Sequence, residues 1–153
     1  MNPRSRGDTS DEKPNGAPIA FRPIGVVHSE HTRSDETPVQ PSYARGIPGT
    51  VEVFPEYEEG LDDLDAFSHV YLIYCFDRSR GAKLRVIPFM HDEERGVFAT
   101  RSPSRPNPIG MSLVRLLRRE GNVLYVEDVD VLDGTPLLDI KPYVFRFDSR
   151  EDV

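Results

Sequence analysis

No apolar pattern with the period of an α-helix persists for three turns anywhere in this chain. Helices that pack on a core need such a stripe, so long helices are excluded as the main element. The apolar residues instead form short runs among 14 prolines and 11 glycines, which is typical of strands and turns. The chain is therefore predicted to be all-β and mainly antiparallel, with its sheet curled into a barrel or sandwich and with at most short helices.

Eight strands and one helical turn are predicted. Val70–Phe76 is continuously apolar, which predicts a strand covered on both faces and a buried, inert thiol at Cys75. Asp62–Phe67 is predicted to form one helical turn with acids at its start. The predicted strands are Phe21–His28, Thr50–Phe54, Val70–Phe76, Leu84–Phe89, Gly96–Thr100, Met111–Leu117, Asn122–Leu132 and Leu137–Ile140.

The 153 residues suit one domain. Residues 1–18 carry almost no large apolar side chain and are predicted to be a disordered tail, followed by a domain at 19–148 and a short C-terminal tail at 149–153. The chain shows neither the apolar core of a signal peptide nor a run of about 20 apolar residues, so a soluble protein is expected. A single cysteine excludes an intramolecular disulfide, and a reducing cytoplasm is the expected compartment.

The net charge of −7 argues against a general affinity for nucleic acid, and no DNA partner is predicted. A local basic surface remains open, because five arginines fall close together in sequence: Arg101, Arg105, Arg115, Arg118 and Arg119. The alternative is an acidic protein with an ordinary mixed surface.

The stretch Arg101–Gly110 contains three prolines. Each proline fixes its own φ and biases the preceding residue toward extended backbone, so the stretch is a stiff loop. It presents two guanidiniums, which suit carboxylates and phosphates. The loop is therefore either an anion site or a proline-rich turn with solvated arginines.

Common nucleotide and metal motifs are absent. The sequence has no Gly-x-Gly-x-x-Gly, P-loop, Cys-x-x-Cys or His-Glu-x-x-His, and Asp128–Gly134 departs from the calcium-loop spacing. The polar clusters His28–His31 and His91–Glu94 are interpreted as solvated, and no metal is predicted. Asp133–Pro136 is a predicted turn that could take a ribose through its carboxylate and an adenine edge through its backbone, or could be a plain β-turn. The long loop Ser29–Gly49 is of a length that is usually functional.

Two long stretches and one short one resemble the TsaA/YaeB (TrmO-like) family of S-adenosylmethionine-dependent tRNA methyltransferases: Gly96–Leu113, Asp130–Tyr143 and Phe67–His69. The resemblance covers Ile24–Val144. It implies a single-sheeted β-barrel that binds S-adenosylmethionine and forms a homodimer. The family activity is N6-methylation of threonylcarbamoyladenosine next to the tRNA anticodon, at position 37.

The resemblance also implies site residues. Asp133 would orient or accept the proton of the acceptor N–H. Substrate would be held by Arg105, Asn107 and Lys141. Cofactor would contact Gln40, Pro41, Phe76, Asp77, Arg78, Arg101, Leu113, Asp130, Val131, Leu132, Asp133, Gly134 and Thr135.

The chain departs from the family pattern in three places. Val39 stands where the family has arginine, and Asp77-Arg78 stands where it has His-Gln. The sequence also stops soon after Tyr143, where longer members continue into a further domain. Two alternatives therefore stay open: the same cofactor with another acceptor, or a noncatalytic dimeric module that binds a nucleotide-like ligand.

Overall fold

The computed structural model describes residues 16–33 and 43–153. Within these residues the 3-10 helices span Pro55–Leu61, Leu64–Ala66 and Val97–Ala99, and helix α1 spans Phe145–Asp148. The strands are β1 Gly25–Ser29, β2 Pro48–Val53, β3 His69–Cys75, β4 Arg85–Val86, β5 Arg95–Gly96, β6 Ile109–Glu120, β7 Val123–Glu127 and β8 Thr135–Pro142.

Six strands close into an antiparallel barrel in the order β1-β2-β7-β6-β3-β8, with β8 pairing back to β1. Closure removes the exposed strand edges on which other chains could pair. Every second side chain points inward, and the core is mainly valine and leucine, including Val27, Val51, Leu72, Val114 and Leu124. The prediction of an all-β barrel with short helices is confirmed.

Strand β3 corrects the prediction of burial on both faces. Val70, Leu72 and Tyr74 are buried, whereas Tyr71 and Ile73 between them are only half-buried. The outward face of a barrel strand has no second sheet against it. The continuous apolar run of β3 is therefore covered only on the inward face, by the barrel core. Cys75 lies on that outward face and is half-buried, not buried as predicted.

The segment between β3 and β6, residues 76–108, is called the excursion. The strand predicted at Leu84–Phe89 is only the two-residue β4, and the strand predicted at Gly96–Thr100 is wrong, because Val97–Ala99 forms a 3-10 helix and only Gly96 belongs to β5. Strands β4 and β5 pair only with each other. Because they join no larger sheet, their apolar neighbours are left uncovered. The exposed large apolar side chains of the excursion are Leu84, Ile87, Phe89, Met90 and Phe98.

Other predicted bounds shift for local reasons. Phe21 is exposed and precedes β1, which begins at Gly25. The strand predicted to reach Leu132 ends at Glu127 because Asp128 takes a left-handed φ of 70°. Residues 1–15 of the tail predicted at 1–18, and residues 34–42 of the long loop, lie outside the described residues. Within the described parts, no helix is long and apolar enough to cross a membrane.

Candidate functional site

One end of the barrel collects polar side chains that are buried. Strands β1, β3 and β7 finish there, and β2, β6 and β8 begin there; we call it the polar end. The buried polar or charged side chains of the described residues all lie there: His31, Ser112, Asp130 and Thr135. Burying polar groups costs free energy unless they find partners, so their collection at one end marks a candidate site.

A hydrogen-bonded chain links Tyr74 on β3, Ser112 on β6 and Asp130, three residues after β7. Ser112 Oγ donates to Asp130 Oδ1 at 2.5 Å, and the Tyr74 hydroxyl lies 2.8 Å from Ser112 Oγ. Because an ionised carboxylate only accepts, Tyr74 donates to Ser112 and Ser112 donates to Asp130. Asp130 is only 9% exposed, so this chain fixes its carboxylate where little water reaches it.

Burial sets the protonation of this chain. It raises the pKa of Asp130 from 3.8 to about 6, against the lowering effects of the Ser112 hydrogen bond, the Asp130 backbone amide, His31 and Arg101. It also raises the pKa of Tyr74 well above its usual range, so the phenol stays protonated. Asp130 is therefore mostly ionised at pH 7 but titrates close to neutrality.

The segment after β1 is tied to the polar end through His31. Its Nε2 lies 2.8 Å from the Val129 carbonyl and donates to it. Ser29 Oγ donates to the Val131 carbonyl at 2.5 Å and accepts from the His31 amide at 3.2 Å. The ring of His31 is thus buried and hydrogen-bonded, not solvated as the cluster His28–His31 was predicted to be. Among the described residues, no group of three side chains could hold a metal ion.

A turn is present at the predicted place but one residue earlier than Asp133–Pro136: the Thr135 amide donates to the Leu132 carbonyl at 3.2 Å, and Thr135 and Pro136 already belong to β8. Gly134 has a φ of 82°, a backbone conformation that favours glycine, and its amide donates to the Val27 carbonyl at 2.9 Å. Asp133 Oδ1 accepts from the Ser29 amide at 3.1 Å and lies 3.6 Å from His28 Nδ1. The Asp133 carboxylate is about half exposed, so it both braces the end of β1 and faces solvent.

Arg78 joins two of the predicted site segments. Its Nη2 donates to the Asp133 carbonyl at 2.8 Å and to Thr135 Oγ1 at 3.2 Å, and its Nε lies 3.6 Å from Asp77 Oδ1. The strand end at Phe76–Arg78 and the turn at Asp133–Thr135, 55 residues apart for the shortest contact, therefore form one surface.

The stiff loop Arg101–Gly110 uses one of its arginines internally. Arg105 Nη1 donates to the carbonyls of Thr100 and Ser102 at 3.0 and 3.1 Å. Those bonds fold the loop, so the substrate role predicted for Arg105 has to compete with a structural one. Asn107 is exposed on the same loop.

Gly110, the last residue of the loop, faces the ring of Tyr74. A Cβ at this position would lie 2.3 Å from Tyr74 Cε2 and 2.7 Å from Phe76 Cζ. The two rings meet edge to face with centroids 5.3 Å apart. Only glycine lets the loop approach the rings of Tyr74 and Phe76 this closely, and the hydroxyl of that Tyr74 donates to Ser112.

Arg101 is exposed and begins the stiff loop. That loop is tied to the polar end, because Ser79 Oγ donates to the Pro103 carbonyl at 2.9 Å and the Phe76 amide donates to the Pro108 carbonyl at 2.7 Å. The charge of Arg101 opposes the burial that raises the pKa of Asp130. In the segment that begins at Asp130, Val131 is buried and Leu132 half-buried.

Other predicted residues lie elsewhere. Leu113 is half-buried on the outward face of β6. Lys141 is exposed, pairs with Asp139 at 3.0 Å and lies on β8 roughly 20 Å along the strand from Thr135, so the structure does not bring it to the polar end. Gln40 and Pro41 are outside the described residues.

The arginines on β6 do not extend a basic surface from the polar end. Arg119 pairs with Asp62 at 2.8 Å, Arg118 with Glu120 at 2.9 Å and Arg115 with Glu127 at 4.0 Å. Arg119 lies on the order of 30 Å along the strand from the start of β6. The five arginines therefore form no single basic surface: two lie on the stiff loop, and three lie further along β6, where each pairs with a carboxylate.

A cleft of about 750 Å³ opens at the opposite end of the barrel. Among the described residues, neither lysine nor arginine lines this cleft. Carboxylates dominate its polar lining: Glu56, Glu59, Asp62, Asp63 and Asp139. Such a cleft repels anionic ligands, so size alone does not identify the site. A shallower cleft of about 320 Å³ lies at the polar end beside His28 and Ser29.

The sequence reasoning gave no role to Tyr74, Ser112 or His31. Ser112 carried a usable signal, because it is a polar residue in an inward position between Gly110 and Val114. Tyr74 and His31 carried none, since their partners are set by strand register and by the path of the chain after β1.

Known proteins share this architecture. The sequence profile of the tRNA-methyltransferase O N-terminal domain matches residues 26–149. A crystal structure of TrmO superposes with a TM-score of 0.76 at 40% identity, over 90% of this chain and 62% of that one. TrmO from Pseudomonas aeruginosa gives 0.74 at 37% identity, over 90% and 61%.

Two relatives illustrate the range of lengths. A probable S-adenosyl-L-methionine-binding protein of Pyrococcus abyssi is 59% identical, over 88% of this chain and 73% of its own. The tRNA (adenine(37)-N6)-methyltransferase of Homo sapiens is 38% identical, over 88% of this chain but only 32% of its own. The chain thus spans less than two thirds of the solved TrmO structures and about a third of the human protein.

Proposed function

The chain belongs to the tRNA-methyltransferase O N-terminal domain family, and on that premise we propose that it is an S-adenosylmethionine-dependent tRNA methyltransferase. The observation that carries the proposal is the contact of Arg78 with the turn at Asp133–Thr135. The stiff loop that begins at Arg101 is held beside Arg78, because Ser79 Oγ donates to the Pro103 carbonyl at 2.9 Å. A cation for the carboxylate and a carboxylate for the ribose are what such a cofactor needs.

The residues present fit that cofactor. Arg101 would hold the methionine carboxylate, while the Asp133–Thr135 turn would hold the ribose and adenine. The cofactor supplies an electrophilic methyl group on a sulfonium. Methyl transfer then depends on in-line approach and exclusion of water, for which a rigid loop and a buried polar end are suited.

The acceptor that we propose is N6 of threonylcarbamoyladenosine at position 37 of tRNA. This assignment is supported by the family and by the name of the human relative. The urea-like N–H of this acceptor becomes more nucleophilic as its proton leaves. Asp133, half exposed beside Arg78 and His28, is the proposed group that orients or accepts that proton.

Two measurements test the function. Calorimetric titration is expected to show S-adenosylmethionine binding, and labelled methyl is expected to enter tRNA that carries the threonylcarbamoyl group but not unmodified tRNA. In the same assay at saturating S-adenosylmethionine, Asp133→Asn is expected to reduce turnover at least about tenfold, because asparagine can still hydrogen-bond the ribose but cannot accept the proton of the acceptor. Binding without transfer to either tRNA would favour another acceptor or a noncatalytic module, and absence of binding would overturn the proposal.

We also propose that the working form is a homodimer. The excursion leaves five large apolar side chains exposed, with Met90 and Phe98 at 78% and 76%, and exposed apolar clusters of this kind mark interfaces. Sedimentation velocity is expected to give twice the monomer mass, and Phe98→Glu is expected to shift the protein to monomer. A monomeric wild-type protein at micromolar concentration would contradict this assignment.

A further inference from the structure

The polar end carries a buried carboxylate and an exposed guanidinium. The Asp130 carboxylate is fixed by Ser112, while Arg101 begins the stiff loop that Ser79 holds beside Arg78 through the Pro103 carbonyl. One negative and one positive group at fixed positions can recognise a ligand with the reverse pattern, because charge complementarity in a site with little water is strong.

S-adenosylmethionine carries that reverse pattern. Its carboxylate is anionic, and its sulfonium is cationic and joined to the amino-acid carbon by two methylene groups. The product, S-adenosylhomocysteine, keeps every other polar group but has a neutral thioether sulfur. A carboxylate beside the sulfur would therefore distinguish the two molecules, whereas one at the ribose or ammonium would not.

We propose that Asp130 is a specificity-determining residue that lies against the sulfonium centre, with Ser112 and Tyr74 as positioning residues. The inference rests on the proposed function, in which Arg101 holds the methionine carboxylate and so brings the sulfonium toward Asp130. The ionised carboxylate favours binding of the charged cofactor over its neutral product, which helps product to leave.

Protonation supplies a direct test of the electrostatics. Burial raises the pKa of Asp130 to about 6, opposed by the Ser112 hydrogen bond, the Asp130 backbone amide, His31 and Arg101. Above that pH the carboxylate is ionised and attracts the sulfonium, and below it the attraction is lost. If only the ionised form attracts, S-adenosylmethionine affinity falls about tenfold between pH 7 and pH 5 relative to S-adenosylhomocysteine.

The experiment is calorimetric titration of both molecules at pH 5, 6 and 7. Dividing one affinity by the other cancels the titration of shared groups, including the ligand ammonium. In wild-type protein the ratio is expected to fall about tenfold toward pH 5, and in Asp130→Asn it is expected to be low and independent of pH. Asp65→Asn, an exposed carboxylate at the opposite end, is the matched control and should behave as wild type.

Ser112→Ala gives a second readout that a merely structural role would not move. It removes a hydrogen bond that lowers the pKa of Asp130, so the midpoint of the ratio should shift to higher pH. Equal losses of both ligands in Asp130→Asn, or a ratio that ignores pH in wild type, would overturn the inference and leave the proposed function standing. Failure of wild type to bind either molecule would instead overturn the proposed function.

Discussion

Replacing Arg101 by alanine is expected to weaken S-adenosylmethionine binding about 100-fold, or about 2.7 kcal/mol. The guanidinium stands at the polar end on a loop stiffened by three prolines, so little conformational entropy is lost when it binds a carboxylate. A charge-assisted bidentate contact of this kind is worth more than an ordinary hydrogen bond. Calorimetric titration at pH 7.5 measures the loss.

The control is Arg80→Ala, which removes an exposed arginine of the excursion near the same loop and should leave affinity within about twofold. Arg101→Lys should recover only part of the affinity, because an ammonium cannot form the planar two-point contact. If Arg101→Ala and Arg80→Ala bind equally well, the carboxylate of the cofactor lies elsewhere.

The barrel could be predicted from the sequence because inward and outward side chains alternate along its strands. In β7 the inward Leu124 and Val126 separate the half-buried Val123, Tyr125 and Glu127, a period of two that no helix would show. The excursion could not be predicted, because the exposed apolar side chains around β4 and β5 look like core strands. Whether such side chains are covered depends on how β4 and β5 join the larger sheet, which local sequence does not encode.

The candidate site divides in the same way. The turn at Asp133–Pro136 was predictable since aspartate and glycine have direct backbone reasons to be there. The family resemblance assigned Arg78 and that turn to one cofactor site, but their direct contact was not predicted, because 55 residues separate the partners. The chain of Tyr74, Ser112 and Asp130 needed the register of β3 on β6, in which Leu72 is opposite Ser112 and Tyr74 opposite Gly110.

The rigid loop also changes its meaning once the structure is known. Its two arginines cannot be told apart from the sequence, yet Arg105 donates hydrogen bonds to the carbonyls of Thr100 and Ser102. Gly110 supplies the close approach to Tyr74 that makes the buried chain possible. The loop therefore supports the polar end structurally, and Arg101 is the arginine of the loop that we propose for the cofactor carboxylate.

Asp130→Asn is expected to raise the free energy of unfolding by about 2–3 kcal/mol at pH 7.5. Burial holds the pKa of Asp130 at about 6 in the folded chain, above its usual 3.8, so the fold disfavours the ionised form. Asparagine has nearly the same shape, keeps an oxygen that can accept from Ser112 and carries no charge. Urea unfolding of wild type and variant measures the difference.

The pH dependence of that gain identifies its cause. Below pH 3.8 Asp130 is protonated in both folded and unfolded chains, so its charge costs nothing; the cost grows as pH rises from about 4 to 6 and is complete above that range. The advantage of the variant should therefore nearly vanish at pH 4, while Asp65→Asn should show no comparable pH-dependent gain. A variant less stable than wild type at every pH would mean that the carboxylate has a stabilising partner. A gain that disappears on acidification would instead show that the barrel tolerates a buried charge at the polar end at a cost in stability, as is expected where a site is kept for binding.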